Sequence, residues 1–442
     1  MRRLVLFALA CCLVTGCSDL EDIFKSKPAE KLAGKRIPVL THNAALEADS
    51  TAHDPITLPA VDDRTAWSQS GGTATHDIGH LALAANPKLA WAVNLGVGEN
   101  PRLAFTTAPI VVDNMVIAMD ALGILSAYDL KSGDRLWQQD LIPLTPDDPG
   151  DGSIGGGIAF VDGRLYVSTS FAEVVAVDPK GGEPIWRHRL LTPARGAPTV
   201  AGGRVFLVTI ENETVALATE DGHELWHHNG VGENTNFVGS PSPAVEGNTV
   251  VVPYTSGELF ALRADTGSVE WTAMLSTVRR TDQVAELTDI KGLPVINKGR
   301  VYAIGNSDML TAIDLRTGRS LWDREVGGLQ TPWVAGDFIY LITNASELAC
   351  FETATGKARW VKTLPEWVDP EDKDERITWT GPVLAGGSLI ITSSEGKLQR
   401  ISPLTGDVVS EEMTSDGVNI PAVVSGKTLL LVTREGILLA YR

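Results

Sequence analysis

Seven nine-residue strings recur along the chain, each with glycine at its fifth place: DLKSGDRLW (129–137), DPKGGEPIW (178–186), ATEDGHELW (218–226), RADTGSVEW (263–271), DLRTGRSLW (314–322), ETATGKARW (352–360) and SPLTGDVVS (402–410). Six end in tryptophan, and Ser410 is the exception. Ten residues before the end stands Ala127, Ala176, Ala216, Ala261 or Ala312, with Cys350 and Arg400 in the other two. A repeat of this kind decides the architecture before any single residue does. Ahead of each string lies a β-type run, such as residues 116–119 (VIAM), then a polar turn, then a second run such as 125–128 (LSAY). The glycine supplies the next tight turn, because it takes positive φ without steric cost. With a leading strand, at 108–112 in the first unit, each unit is a four-stranded antiparallel meander. Successive tryptophans from Trp91 to Trp360 are 46, 49, 40, 45, 51 and 38 residues apart, the size of a propeller blade. One meander cannot bury both faces, so it must stack on the next, and the tryptophan is expected in the seam.

Seven units run from about 108 to 410, and an eighth at 421–441 lacks its last strand. The spare strand lies at 88–91, with no meander before it. The expectation is an all-β, eight-bladed β-propeller of four-stranded antiparallel blades, its last blade closed by this N-terminal strand. Seven blades is the alternative count.

The first residues carry Arg2 and Arg3, an apolar run of eleven from Leu4 to Val14, then Thr15-Gly16-Cys17. The run is too short to span a bilayer as a mature helix and has the order of a secretory signal. Small residues before a cysteine resemble a bacterial lipobox. The resemblance implies cleavage after residue 16, lipid on Cys17, and, with Ser18 following, sorting to the outer membrane facing the periplasm. Loss of Arg2 and Arg3 takes the formal charge from −18 to −20, which disfavours nucleic acid and anionic headgroups as partners. Cys11 and Cys12 leave with the signal, so Cys350 is the one remaining thiol and no intramolecular disulfide can form. Residues 17–65 contain scattered prolines and no long apolar period, and read as a flexible tether. The expected division is 1–16 signal peptide, 17–65 tether and 66–442 propeller.

The repeats, with the lead-in Trp67-Ser68-Gln69-Ser70-Gly71-Gly72 and His76, resemble the pyrroloquinoline-quinone-type propeller repeat family. Quinone-dependent dehydrogenases of that fold commonly carry adjacent cysteines in the mature chain, a calcium site and a catalytic aspartate. This sequence keeps no adjacent cysteines after cleavage. It more closely resembles the BamB-like outer-membrane assembly lipoproteins, with lipobox, tether, eight blades and no cofactor. That resemblance implies a non-enzymatic scaffold of the BAM complex, a monomer within a hetero-complex, bound to a periplasmic POTRA domain of BamA. By blade register, the family's first docking loop falls on Phe237, Val238 and Gly239, with valine where the family has arginine. Its second falls on Asp289, Ile290 and Lys291, with lysine where the family has a second aspartate. Arg279 and Arg280 lie beside it. The alternative is a periplasmic quinoprotein dehydrogenase.

Other clusters read as bland. Asp147–Asp151 lacks the calcium-loop spacing and reads as a solvated loop. His227 and His228 are adjacent in a strand and point to opposite faces. Gly155-Gly156-Gly157 has no Gly-Lys-Ser/Thr after it and reads as a flexible turn. The GVGEN at 96–100 recurs at 230–234, and both read as inter-blade loops. Residues 369–376 (DPEDKDER) form a charged connection.

Overall fold

Strands that follow one another in sequence pair with one another in space, which is what meanders joined by tight turns produce. The computed structural model describes residues 46–51, 55–100, 103–105, 107–143, 156–194, 196–232, 241–275 and 289–442, all within the unit Leu46–Arg442. Blade 1 is Ile110–Val112, Met115–Met119, Ile124–Asp129 and Arg135–Asp140, paired in that order. Blades 2 to 6 repeat it, with inner strands Gly156–Val161, Thr199–Ala201, Ala244–Glu246, Val295–Asn297 and Trp333–Ala335. Blade 7 runs from Trp379–Ala385 to Val408–Met413. Blade 8 takes Val423–Ser425, Thr428–Val432 and Ile437–Tyr441 from the C-terminus, and its outer strand is Leu89–Asn94, antiparallel to Ile437–Tyr441. The eight-bladed reading and the closing strand are therefore both present, and the seven-bladed count is set aside.

Register explains the repeat. In blades 1 to 6 the small residue ten places before the tryptophan is its cross-strand partner: Ala127 faces Trp137, Ala312 faces Trp322 and Cys350 faces Trp360. A small side chain leaves room for the indole on the shared face. Each indole then lies on the turn glycine of the following blade. A Cβ on Gly133, Gly182, Gly222, Gly267, Gly318, Gly356 or Gly406 would come within 2.5–2.8 Å of the preceding blade's tryptophan ring. The same glycines hold φ between +67° and +84°, so both space and backbone exclude a side chain. Each indole Nε1–H also donates to a carbonyl of the next blade, from Trp137 to Pro179 at 2.8 Å and from Trp322 to Thr353 at 3.0 Å, for example. Trp91, on the N-terminal strand of blade 8, donates to Leu130 of blade 1 at 3.1 Å and rests on Gly133, which closes the circle.

The core consists of these seams. Ile117 and Leu125 of blade 1 pack with Val167 and Val175 of blade 2, and Val205 and Leu207 of blade 3 pack with Ala176 of blade 2.

Residues 64–83 form a strap over the inner strands, which otherwise present unpaired backbone groups. Trp67 exchanges both backbone bonds with Val111, at 2.7 and 2.8 Å. Phe160 of blade 2 donates to Ser68, Val200 of blade 3 to the Gln69 side chain, Val245 of blade 4 to Ala74, and Ile296 of blade 5 to Thr75. The strap then meets Trp333 of blade 6 at Gly79, Ala385 of blade 7 at Leu81 and Lys427 of blade 8 at Leu83. Val61–Asp62 and His80–Leu81 add to the inner edge of blade 7, making that sheet six-stranded. This corrects the expected tether over 17–65 at its C-terminal end. Pro59 accepts from His80, Asp49 donates to Ala358 at 2.8 Å, and Leu46, Ile56 and Leu58 pack on the core. These apolar side chains find a surface to cover, which a free linker would not. Residues 17–45 lie outside the described residues.

Trp322→Ala should destabilise the ring by roughly 3–5 kcal/mol, as large-to-small changes at buried aromatic sites do. Gly356→Val should also destabilise it, through positive φ and collision with the same indole. Leu136→Ser, at a half-exposed outer position, should stay within about 0.5 kcal/mol. Urea unfolding of the three variants reads the order directly.

Candidate docking face and central cavity

Six of the inner strands begin at a common place, the mouth of a central cavity. Ala108, Ala197, Ser242, Leu293, Thr331 and Pro421, each just ahead of or at the start of an inner strand, all line it. The cavity holds about 190 Å³. Trp67 and Trp333 stack with ring centroids 6.4 Å apart and form part of its apolar wall with Phe105, Leu293 and Ile420. Gln330, Asn419 and Lys291 add polar groups.

His76 of the strap also lines the cavity and is fully buried. A carbonyl can only accept, so the 2.7 Å contact to Pro294 places the proton on Nδ1. Nε2 is a buried acceptor without a hydrogen-bond partner among the described residues. Burial holds the imidazole at about 4, against the opposing Pro294 bond, so it is neutral at pH 7. The strap places it with φ +59°, a conformation that asparagine tolerates better than most side chains.

Of the residues singled out for docking, Phe237, Val238, Gly239, Arg279 and Arg280 lie outside the described residues, as do Cys17 and Asp147–Asp151. The structure places Asp289, Ile290 and Lys291 together at the end of the link into blade 5. Asp289 is 2% exposed and Ile290 is fully buried in the core of blades 4 and 5, so neither presents a surface to a partner. This corrects the expectation for those two. Their role is to root the link: the Asp289 carbonyl accepts from Asn306 at 3.0 Å, and Leu293 donates to Thr331 at 3.1 Å. Lys291 alone of the three is exposed. It lines the cavity, and desolvation lowers its pKa while Asp289 and then Glu99 oppose the shift.

Sequence reasoning missed Glu99, Phe105 and Asn419. Glu99 accepts from the Phe105 N–H at 3.1 Å and from Asn419 Nδ2 at 2.7 Å, tying together two residues that line the cavity. The recurring GVGEN was the available signal, since Glu99 sits within it. Gly156 and Gly157 open the inner strand of blade 2 instead of forming a flexible turn. A Cβ on Gly157 would lie 2.3 Å from Ala197, so the glycine permits close approach of blade 3. His227 and His228 do face apart: the first bonds Glu224 at 2.8 Å, the second the Tyr254 hydroxyl at 2.9 Å.

A quinone held through calcium would need carboxylates at the hub. Among the described residues neither Asp nor Glu lines the cavity, and no group of three His, Cys, Asp or Glu could hold a metal ion. Cys350 is a buried free thiol with its pKa pushed up by burial. These residues do not fit such a group, and no chemistry is routed through one.

Because the folded His76 resists protonation until about pH 4 while the unfolded one takes a proton near 6.5, stability should fall as pH drops through that window. His76→Asn should flatten that part of the slope, by at most about 3 kcal/mol. Urea midpoints of both proteins between pH 7 and pH 4 would show it; parallel curves would refute it.

The family model described as outer membrane protein assembly factor BamB matches residues 121–362. The protein of that name from Salmonella typhimurium is 32% identical over 356 residues, covering 79% of this chain and 87% of that one. Its counterpart from Escherichia coli K12 is 30% identical over 354 residues, with the same coverage. Among solved structures, BamB from Moraxella catarrhalis superposes with a TM-score of 0.67 at 19% identity, over 81% of this chain and all of that one. A europium-containing methanol dehydrogenase gives 0.65 at 14% identity, over 83% of this chain and 89% of that one, a likeness of fold alone. With repeats, blade count and closing strand in agreement, the chain belongs to the BamB family of outer membrane protein assembly factors.

Proposed function

We propose that the chain is a non-enzymatic scaffold of the BAM complex that assists the folding and insertion of outer-membrane proteins by binding a periplasmic POTRA domain of BamA. The observation that carries this reading is the family match from blade 1 through blade 6. In this reading Cys17 carries lipid after removal of residues 1–16, the body faces the periplasm from the outer membrane, and one copy enters the complex. Phe237, Val238 and Gly239 on one link, and Arg279, Arg280 and Lys291 on the next, meet the partner. Asp289 and Ile290 act from within by seating the second link. Apolar anchoring at the centre and charge steering at the rim suit an interface of modest size. Val238 and Lys291 replace an arginine and an aspartate of the family pattern, so a partner with complementary charges is implied. The lack of Asp and Glu among the described lining residues disfavours the dehydrogenase alternative.

Phe237→Glu combined with Lys291→Glu should lower recovery of BamA from detergent-solubilised envelopes tenfold or more, on the order of 1.4 kcal/mol. Undiminished recovery would reject this surface. A dye-linked dehydrogenase activity on adding quinone and calcium would reject the scaffold reading itself.

A further inference from the structure

The chain carries a formal charge of −18, yet among the described residues the one ionised side chain lining the cavity is a cation. Lys291 stands at the mouth, and His76 is neutral. Lys291 makes no direct ion pair among the described residues, although Asp289 and then Glu99 lie near enough to favour its charge. Both oxygens of Glu99 are taken, by Phe105 and Asn419, with Arg434 Nε a further 3.6 Å contact. Asp289 is buried under the link and has interactions of its own. A partly desolvated ammonium with no carboxylate in direct contact gains from a closer anion delivered from outside.

Below the ammonium the walls are apolar and aromatic. The stacked Trp67 and Trp333 offer ring faces, with Phe105, Leu293 and Ile420 beside them. The volume, about 190 Å³, somewhat exceeds the ~150 Å³ of an apolar cavity that accepts benzene. An apolar enclosure with few convergent polar groups is the usual form of a small-molecule site.

We propose that this cavity binds a small apolar monocarboxylate, an aromatic or branched acid, with its carboxylate on Lys291 and its hydrocarbon part against Trp67 and Trp333. Gln330, a further polar residue of the lining, carries amide N–H donors for the second carboxylate oxygen, directly or through water. No covalent step is involved. Lys291, one of the residues proposed to meet BamA, also lines the cavity, so occupancy and docking would draw on the same side chain.

The test uses the full chain with no partner present, so its outcome is independent of the docking reading. The probes are 3-phenylpropionate and its amide, 3-phenylpropanamide, titrated by calorimetry and by tryptophan fluorescence. The acid should bind saturably at one site, at least tenfold more tightly than the amide. Lys291→Met should erase that preference and Lys291→Arg should keep most of it. Lys291 is exposed, so neither substitution threatens the fold. Absence of saturation at millimolar acid, equal affinity for acid and amide, or a preference that survives in Lys291→Met would each overturn the proposal.

Discussion

One contact sets the geometry of the ring: an indole from one blade laid on a glycine of the next. It does two things that a generic apolar pair would not. The missing Cβ lets the backbone approach the ring face, and the indole N–H, which would be costly to bury unsatisfied, is given a carbonyl on the same neighbour. Area and hydrogen bond therefore fix one relative placement of two blades. Repeated around the ring, the contact makes stability a sum of nearest-neighbour terms, as in other repeat architectures. An open row of blades would leave one tryptophan and one inner sheet face without a partner. Trp91, reached by threading the N-terminal strand into blade 8, removes that defect.

The seam between blades 7 and 8 is built differently. Ser410 stands where the other strings have tryptophan, and its cross-strand partner is Arg400, where they have alanine or cysteine. Large and small have changed places, so the volume of the pair is roughly kept. Arg400 lies buried and donates to Ser388 at 3.1 Å, with its guanidinium pKa lowered by burial. A polar filling is a weaker seal than a stacked indole. Other bonds compensate here: Leu81 pairs with Ala385, Leu83 bridges to Lys427, and Gly426 donates to Arg64 at 3.0 Å. The strap thus binds together the one pair of blades that lacks the common lock.

How much of this could be read beforehand follows from the range of each interaction. The blade period, the turn glycines, the small residue opposite each tryptophan and the closing strand all leave fixed spacings, because each rests on contacts within or between adjacent units. The strap leaves none. Gln69 meets Val200, 131 residues away, through a side-chain amide that any polar loop residue could have supplied. Residues 46–65 looked like linker because their apolar side chains are sparse, yet Ile56 and Leu58 need only one groove each to be held. Gly156 and Gly157 looked like a turn because close approach between strands and sharp bending call for the same residue. The burial of Asp289 and Ile290 was hidden for a related reason. A register argument places residues along a link but does not say which way they face.

That burial bears on how the docking face works. Ile290 is packed between blades 4 and 5, and Gly292 leaves room for the Gln330 carbonyl, since a Cβ there would lie 2.7 Å from it. The C-terminal root of the 276–288 link is therefore set by the core of the ring and not by the link itself. Lys291 follows from that root and lines the cavity. In the proposed docking, a side chain mounted this way would lose little freedom on binding, which is a gain from preorganisation. The same arrangement ties the cavity to the face. A ligand that neutralises Lys291 removes a positive charge from the rim, and a partner that engages Lys291 covers the mouth. By reciprocity of linked equilibria, whichever way one event biases the other must hold in both directions.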